Sequence, residues 1–159
     1  MKAYPMTKRA LLLLSLAMSS LAMFPQQGLR INALFEGKVV PAKNMVETRV
    51  RGKAISKYKL SYFRSVRFKT DDETFRKIDH LASQDFADDS NQFKDRSPYS
   101  SGTMRMVNQK KTFTQMYELA PRDGTNRYLC YKLVGDVVTV IYMEGSLSSP
   151  EELKKLLKD

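Results

Sequence analysis

The chain has 159 residues, with 27 lysines and arginines against 17 aspartates and glutamates, a formal charge of +10, one histidine and one cysteine. One histidine and one cysteine exclude a zinc site of the usual His/Cys type and any internal disulfide. The positive balance favours acidic surfaces as partners, which concerns association rather than fold.

The N-terminus reads MKAYPMTKR, with Lys2, Lys8, Arg9 and no acid, followed by the uncharged run ALLLLSLAMSSLAMF over residues 10–24. That run is shorter than the roughly 20 residues of a membrane-spanning helix. Ser20-Leu21-Ala22 sets small residues at the two positions signal peptidase reads. A basic start, a short apolar middle and a small-x-small exit predict a secretory signal peptide over residues 1–22, with a retained anchor as the alternative. Cleavage near Ala22 would remove Lys2, Lys8 and Arg9 and lower the charge from +10 to +7. The expected location is then exported, periplasmic or secreted, with no integral membrane segment left after cleavage.

Residues 23–44 hold Pro25, Gly28, Gly37, Pro41 and Asn44 among scattered apolar residues, the pattern of an irregular arm. Residues 45–159 are expected to form a single domain. From Met45 the period becomes two: Val46, Thr48 and Val50 alternate with Glu47, Arg49 and Arg51, which predicts a strand with its valine side buried. Gly52-Lys53 interrupts it. The pattern resumes with Tyr58, Leu60 and Tyr62 on the buried side, then slips, as a bulge near Phe63 and Arg64 would cause.

Thr70 and Glu73 have capping-box spacing, and Phe75, Ile78, Leu81, Ala82 and Phe86 recur at helical spacing. His80 falls opposite that stripe, in solvent. Asp85 falls on it, so either the helix has frayed by then or the carboxylate is buried against a cation, Arg64 or Arg67. Residues 88–102, DDSNQFKDRSPYSSG, read as a long polar loop. Three strand-like runs follow, 112–119, 127–134 and 137–143, separated by Pro121-Arg-Asp-Gly124 and Gly135-Asp136, with a short extra strand expected at Met104 to Val107. Ser149, Pro150 and Glu152 start a last helix that carries Leu153, Leu156 and Leu157. The order β-β-α-β-β-β-α predicts an α+β domain: an antiparallel sheet of about five strands with two helices on one face.

Catalytic patterns are sparse. Cys130 lies in a strand-like segment and reads as a small buried hydrophobe rather than a nucleophile. Asp123-Gly-Thr has the aspartic-protease triplet but sits in a tight turn. Asp71, Asp72, Asp88 and Asp89 are explained by capping and solvation. No catalytic residue, metal site or cofactor is therefore assigned. Between Lys38 and Lys69, ten basic residues face one acid, Glu47, whereas from Asp71 to Asp95 eight acids face three basic residues. Most of that asymmetry is expected to be answered internally, hairpin against helix. Arg49, Arg51, Lys53, Lys57 and Lys59 are the candidate ligand-binding residues, and Arg64 with Asp85 the candidate ion pair. An acidic protein, glycan or lipid-headgroup surface would suit the first group. Nucleic acid suits it less, because Tyr58 and Tyr62 share a side with Leu60 and read as core.

The runs Ile31-Asn-Ala-Leu-Phe-Glu-Gly37, Val46-Glu-Thr-Arg-Val-Arg-Gly-Lys53, Leu60-Ser-Tyr-Phe-Arg-Ser-Val66, Asn126-Arg-Tyr-Leu-Cys-Tyr131 and Ile141-Tyr-Met-Glu-Gly145 resemble a family of small exported bacterial proteins known only as a domain of unknown function. The resemblance implies an exported single-domain α+β protein and no activity. Three functions are carried forward: a non-enzymatic binding or accessory domain using the basic hairpin, an enzyme with an unrecognised carboxylate site, and a structural subunit that pairs by a sheet edge.

Overall fold

The alternating and turn-forming segments pair into one antiparallel sheet in the computed structural model, which describes residues 28–92, 103–107, 110–147 and 152. The strands are β1 (Val46–Arg51), β2 (Leu60–Lys69), β3 (Thr103–Val107), β4 (Lys110–Arg122), β5 (Thr125–Val134) and β6 (Val137–Gly145), in spatial order β1-β2-β6-β5-β4-β3. The helices are α1 (Asn32–Phe35), α2 (Lys53–Ser56) and the long α3 (Asp72–Gln92). The architecture is α+β, and the extra strand expected near Met104 becomes β3, so the sheet has six strands. The expected signal peptide, the loop from residue 93 to 102 and, apart from Glu152, the expected C-terminal helix lie outside the described residues.

Short connections set the meander. Asp123 and Gly124, both at positive φ, form the two-residue β4–β5 loop that type I′ geometry demands. Gly135 and Asp136 join β5 to β6 in the same number of residues. One side of the sheet packs α3 through Phe75, Ile78 and Ala82 against Val66, Leu129, Tyr131 and Val140. Phe86 stacks on Tyr117 with ring centroids 4.9 Å apart. The other side buries a smaller cluster around Met116, Tyr128, Cys130 and Met143, closed by Ile55 of α2, Leu60 and Leu147.

The helix starts one residue later than its capping-box spacing suggests. Asp71 is the cap: its Oδ1 accepts the Thr74 N–H at 2.7 Å. That bond holds the Asp71 carboxyl below its usual range. The helix also runs past Asp85 to Gln92, so Asp88 and Asp89 are helical and not part of a loop. His80 is exposed, as expected.

From residue 28 on, the segment read as an irregular arm is folded against this framework, and residues 23–27 lie outside the described residues. Ile31, Leu34 and Phe35 are buried, and α1 closes with Lys38 N–H on the Ala33 carbonyl and Gly37 N–H on the Leu34 carbonyl. That pair of bonds is a Schellman ending. Asp85, 3% exposed, does not fray away from the core and does not meet Arg64. Its two oxygens accept the backbone N–H groups of Arg30 at 2.6 Å and Ile31 at 2.9 Å. Burial pushes this carboxyl above its usual range, and the two N–H groups and the Arg30 charge partly offset that. Arg64, 5% exposed, sends Nη2 to the Phe35 carbonyl at 2.9 Å and Nε to Glu47 at 2.7 Å. The two residues expected to bind each other therefore bind opposite ends of α1.

Arg64 also explains the apparent slip in β2. Tyr62, Arg64, Val66 and Phe68 are all buried, so the parity holds once an arginine is accepted inside. The true irregularity lies earlier, between Leu60 and Tyr62, where the register against β6 shifts. On the expected valine side of β1 only Val50 is covered, half-buried against the smaller cluster. Glu47, Arg49 and Arg51 stand opposite Val66, Arg64 and Tyr62 on the α3 side, while Val46 is 70% exposed. Glu47 must reach the buried Arg64, and that requirement fixes which side the charged residues take. Tyr58, expected in the core, is exposed in the connection before β2.

Asp85→Ala would strand two buried N–H groups and is expected to lower unfolding free energy by about 2–4 kcal/mol in urea denaturation. Asp85→Asn, which keeps one acceptor oxygen, is expected to cost less.

Candidate functional site

The five candidate basic residues do not form one surface. Arg49 bends back to Glu47 at 2.8 Å, and Arg51 lies over the Tyr62 ring at 4.7 Å, both on the α3 side of the edge strand. The Arg49 and Arg64 hydrogen bonds hold Glu47 below its usual range, although burial opposes them. Lys53, Lys57 and Lys59 instead belong to the connection between β1 and β2. Gly52 at positive φ turns the chain into α2, whose Ile55 is its buried anchor. Lys53 is exposed on that turn, and Lys57 sits 4.8 Å from the Tyr58 ring centre. Lys59 is left-handed, with φ of 59°, and its ammonium meets Glu152 at 2.9 Å.

Beside this turn is a cavity of about 270 Å³ lined by Ser56, Lys59, Leu60, Ser61, Gly124, Thr125, Gly145 and Ser146. Its shape depends on Gly145. A Cβ there would fall 2.1 Å from the Lys59 carbonyl oxygen, so only glycine lets β6 approach the left-handed Lys59. The Ser146 N–H then donates to the same carbonyl at 2.9 Å. Ser56 donates its hydroxyl to the Lys53 carbonyl at 2.9 Å, and Ser61 to the Glu144 carbonyl at 3.2 Å. Among the described residues the lining has four hydroxyl-bearing residues and one cation, and no carboxylate other than Glu152 on Lys59. Such a set accepts and donates hydrogen bonds and favours negative charge. Lys59 could be read from its place in the basic run. The serines, Thr125 and Gly145 could not, because they meet only after the β2 irregularity and the β4–β5 turn bring three chain segments together.

The acidic helix is not the counterweight of this turn. Arg30 pairs with Asp88 at 3.0 Å, Lys111 with Asp72 at 3.5 Å and Arg127 with Asp89 at 3.1 Å. Asp89 also accepts the Ala120 N–H at 2.9 Å, and Arg127 Nε donates to the Ala120 carbonyl at 2.6 Å. Ala120 lies where the β4 register against β5 shifts, so these side chains satisfy a backbone that has left the ladder. Asp79 accepts the Tyr131 hydroxyl. The α3 carboxylates are thus spent on the arm and on β4 and β5, whereas Glu47 meets Arg49 and Arg64 of the strands and Glu152 meets Lys59 of the turn. The expected hairpin-to-helix neutralisation is replaced by helix-to-arm and helix-to-sheet contacts.

Among the described residues, no three of His, Cys, Asp and Glu gather as a metal ion would require. Cys130 is 2% exposed, and burial pushes its thiol up to about 11. Asp123 occupies its tight turn.

A family model of unknown function, DUF6108, matches residues 18–157. The chain belongs to that family. The family description carries no activity, so the assignment adds membership to the geometry and no residue roles. No curated protein matches the chain.

A thiol reagent at pH 8 is expected to label Cys130 only as the protein unfolds, with the labelling rate following denaturant concentration. Immediate stoichiometric labelling of the native protein would contradict its placement.

Proposed function

We propose that the chain is an exported, non-enzymatic bacterial binding domain whose contact surface is the Lys53–Lys59 turn and the cavity beside it, with an acidic glycan as ligand. The N-terminal sequence pattern supports export. The observation that carries the ligand class is the cavity lining, which among the described residues joins four hydroxyl-bearing residues to a lysine. Ser56 and Ser61, whose protons go to backbone carbonyls, keep acceptor capacity for sugar hydroxyls, and the adjoining exposed lysines suit sulfate or carboxylate groups. Glu152 pairs with Lys59 at 2.9 Å, so an anionic group would displace one exposed ion pair.

Retention on immobilised heparin tests this directly. Lys53→Glu with Lys57→Glu is expected to move elution to much lower salt, while Arg49→Glu, on the other side of the edge strand, has a small effect. Lys59→Gln is expected to weaken binding, and Glu152→Gln to strengthen it about two- to fivefold, the scale of one exposed ion pair. Equal loss from all four positions would indicate net charge alone and overturn the site.

A further inference from the structure

Among the described residues, Asp123 and Lys59 have positive φ without being glycine. Asp123 is accounted for by its two-residue turn, in which aspartate is a favoured residue. Lys59 has no such account. The helical turn that opens at Lys53 closes with the Tyr58 N–H on the Ile55 carbonyl at 3.0 Å and the Lys59 N–H on the Ser56 carbonyl at 2.9 Å. A left-handed residue that ends such a turn is ordinarily glycine, because a side chain crowds the backbone there. The surroundings fix the conformation: the Lys59 carbonyl accepts the Ser146 N–H at 2.9 Å and lies against Gly145. What lysine contributes at this position therefore lies in its side chain.

Stability does not supply that contribution. The Lys59 side chain is 56% exposed, and an exposed ion pair such as the one with Glu152 adds little to a fold. The same side chain lines the cavity, where it is the one cation among the described residues. At about 270 Å³ the cavity is smaller than the roughly 300–1,000 Å³ that enclose a drug-sized molecule, so it suits one ring rather than a stretch of polymer.

Its polar groups are unevenly matched. Ser56 and Ser61 give their protons to backbone carbonyls, so they meet a ligand as acceptors, and the Ser146 N–H is taken by Lys59. Acceptors suit the hydroxyls of a sugar. A sulfate, with three terminal oxygens, calls for several donors, whereas one ammonium can hold a carboxylate. Glu152 shows that a carboxylate reaches Lys59 at this place, with oxygen and nitrogen 2.9 Å apart. Leu60 adds an apolar wall for the carbon face of a ring.

We propose that the cavity takes one sugar-acid ring, with its carboxylate on Lys59 in place of Glu152 and its hydroxyls donating to Ser56 and Ser61. The inference rests on the glycan reading and narrows it. Lys53 and Lys57 take charges along the glycan, and the cavity selects a uronate. Lys59 is kept for that contact at a cost to the fold.

The protein is titrated with D-glucuronate, D-glucose, D-glucose 6-sulfate and acetate at constant ionic strength, and the amide signals of Gly145 and Ser146 are followed by NMR. Glucuronate is expected to shift both signals saturably and to bind about tenfold more tightly than the other three, the scale of one charged hydrogen bond. Lys59→Gly is expected to abolish the preference for glucuronate over glucose and to raise the urea midpoint of unfolding, because glycine adopts this backbone without strain. Equal binding of glucose 6-sulfate or acetate, or a midpoint lowered by Lys59→Gly, would overturn the proposal. A protein that heparin retains but glucuronate does not shift would overturn the cavity assignment and leave the glycan surface standing. Failure of both would overturn both.

Discussion

The arrangement depends on how one short turn of helix is held at both ends. The end groups of α1 bond mostly within the arm, which leaves the N–H groups of Arg30 and Ile31 ahead of the turn and the Phe35 carbonyl at its end for partners elsewhere. Asp85 from α3 takes the N–H groups of Arg30 and Ile31, and Arg64 from β2 takes the Phe35 carbonyl. The negative group meets the N-terminal end of the turn and the positive group its C-terminal end, the signs that the peptide dipoles favour. The arm thereby joins helix to sheet, and each buried charge is answered without an ion pair between Asp85 and Arg64. Arg64 completes its set with Glu47 and with the Phe35 ring, 4.9 Å away.

This clamp explains where the sequence is legible and where it misleads. The stripe Phe75, Ile78, Ala82 and the strands of the C-terminal meander follow from periodicity, because each packs an apolar face on a neighbour from the same core. The first strand does not. Its valines suggest a buried side of which only Val50 is covered, while Glu47 on the opposite side reaches a buried arginine. Likewise Arg64 looked like a break in alternation while occupying an inward position throughout. Asp85 was legible as an anomaly, a carboxylate on an apolar stripe, but its partners were not, because backbone N–H groups 54 and 55 residues away have no side-chain signature.

The charge asymmetry resolves into two separate matters. The acidic helix is structural: Asp79, Asp85 and Asp89 hold the Tyr131 hydroxyl, the arm and the displaced backbone of β4. The basic half divides into an edge strand whose arginines are engaged with Glu47 and Tyr62, and a turn whose Lys59 lines a cavity rich in hydroxyl groups. The candidate site was legible only as far as Lys53, Lys57 and Lys59. Its hydroxyl lining arises from three segments that meet through a register shift and a glycine contact, which no local pattern announces.

The clamp is tested most directly by amide hydrogen exchange at Arg30 and Ile31. If Asp85 holds the arm, both amides exchange as slowly as the core of α3, and Asp85→Asn releases at least one of them while the helix interior stays protected. Rapid exchange of both amides in the unsubstituted protein, alongside a protected α3, would show that the arm is not held by this carboxylate and would contradict the account.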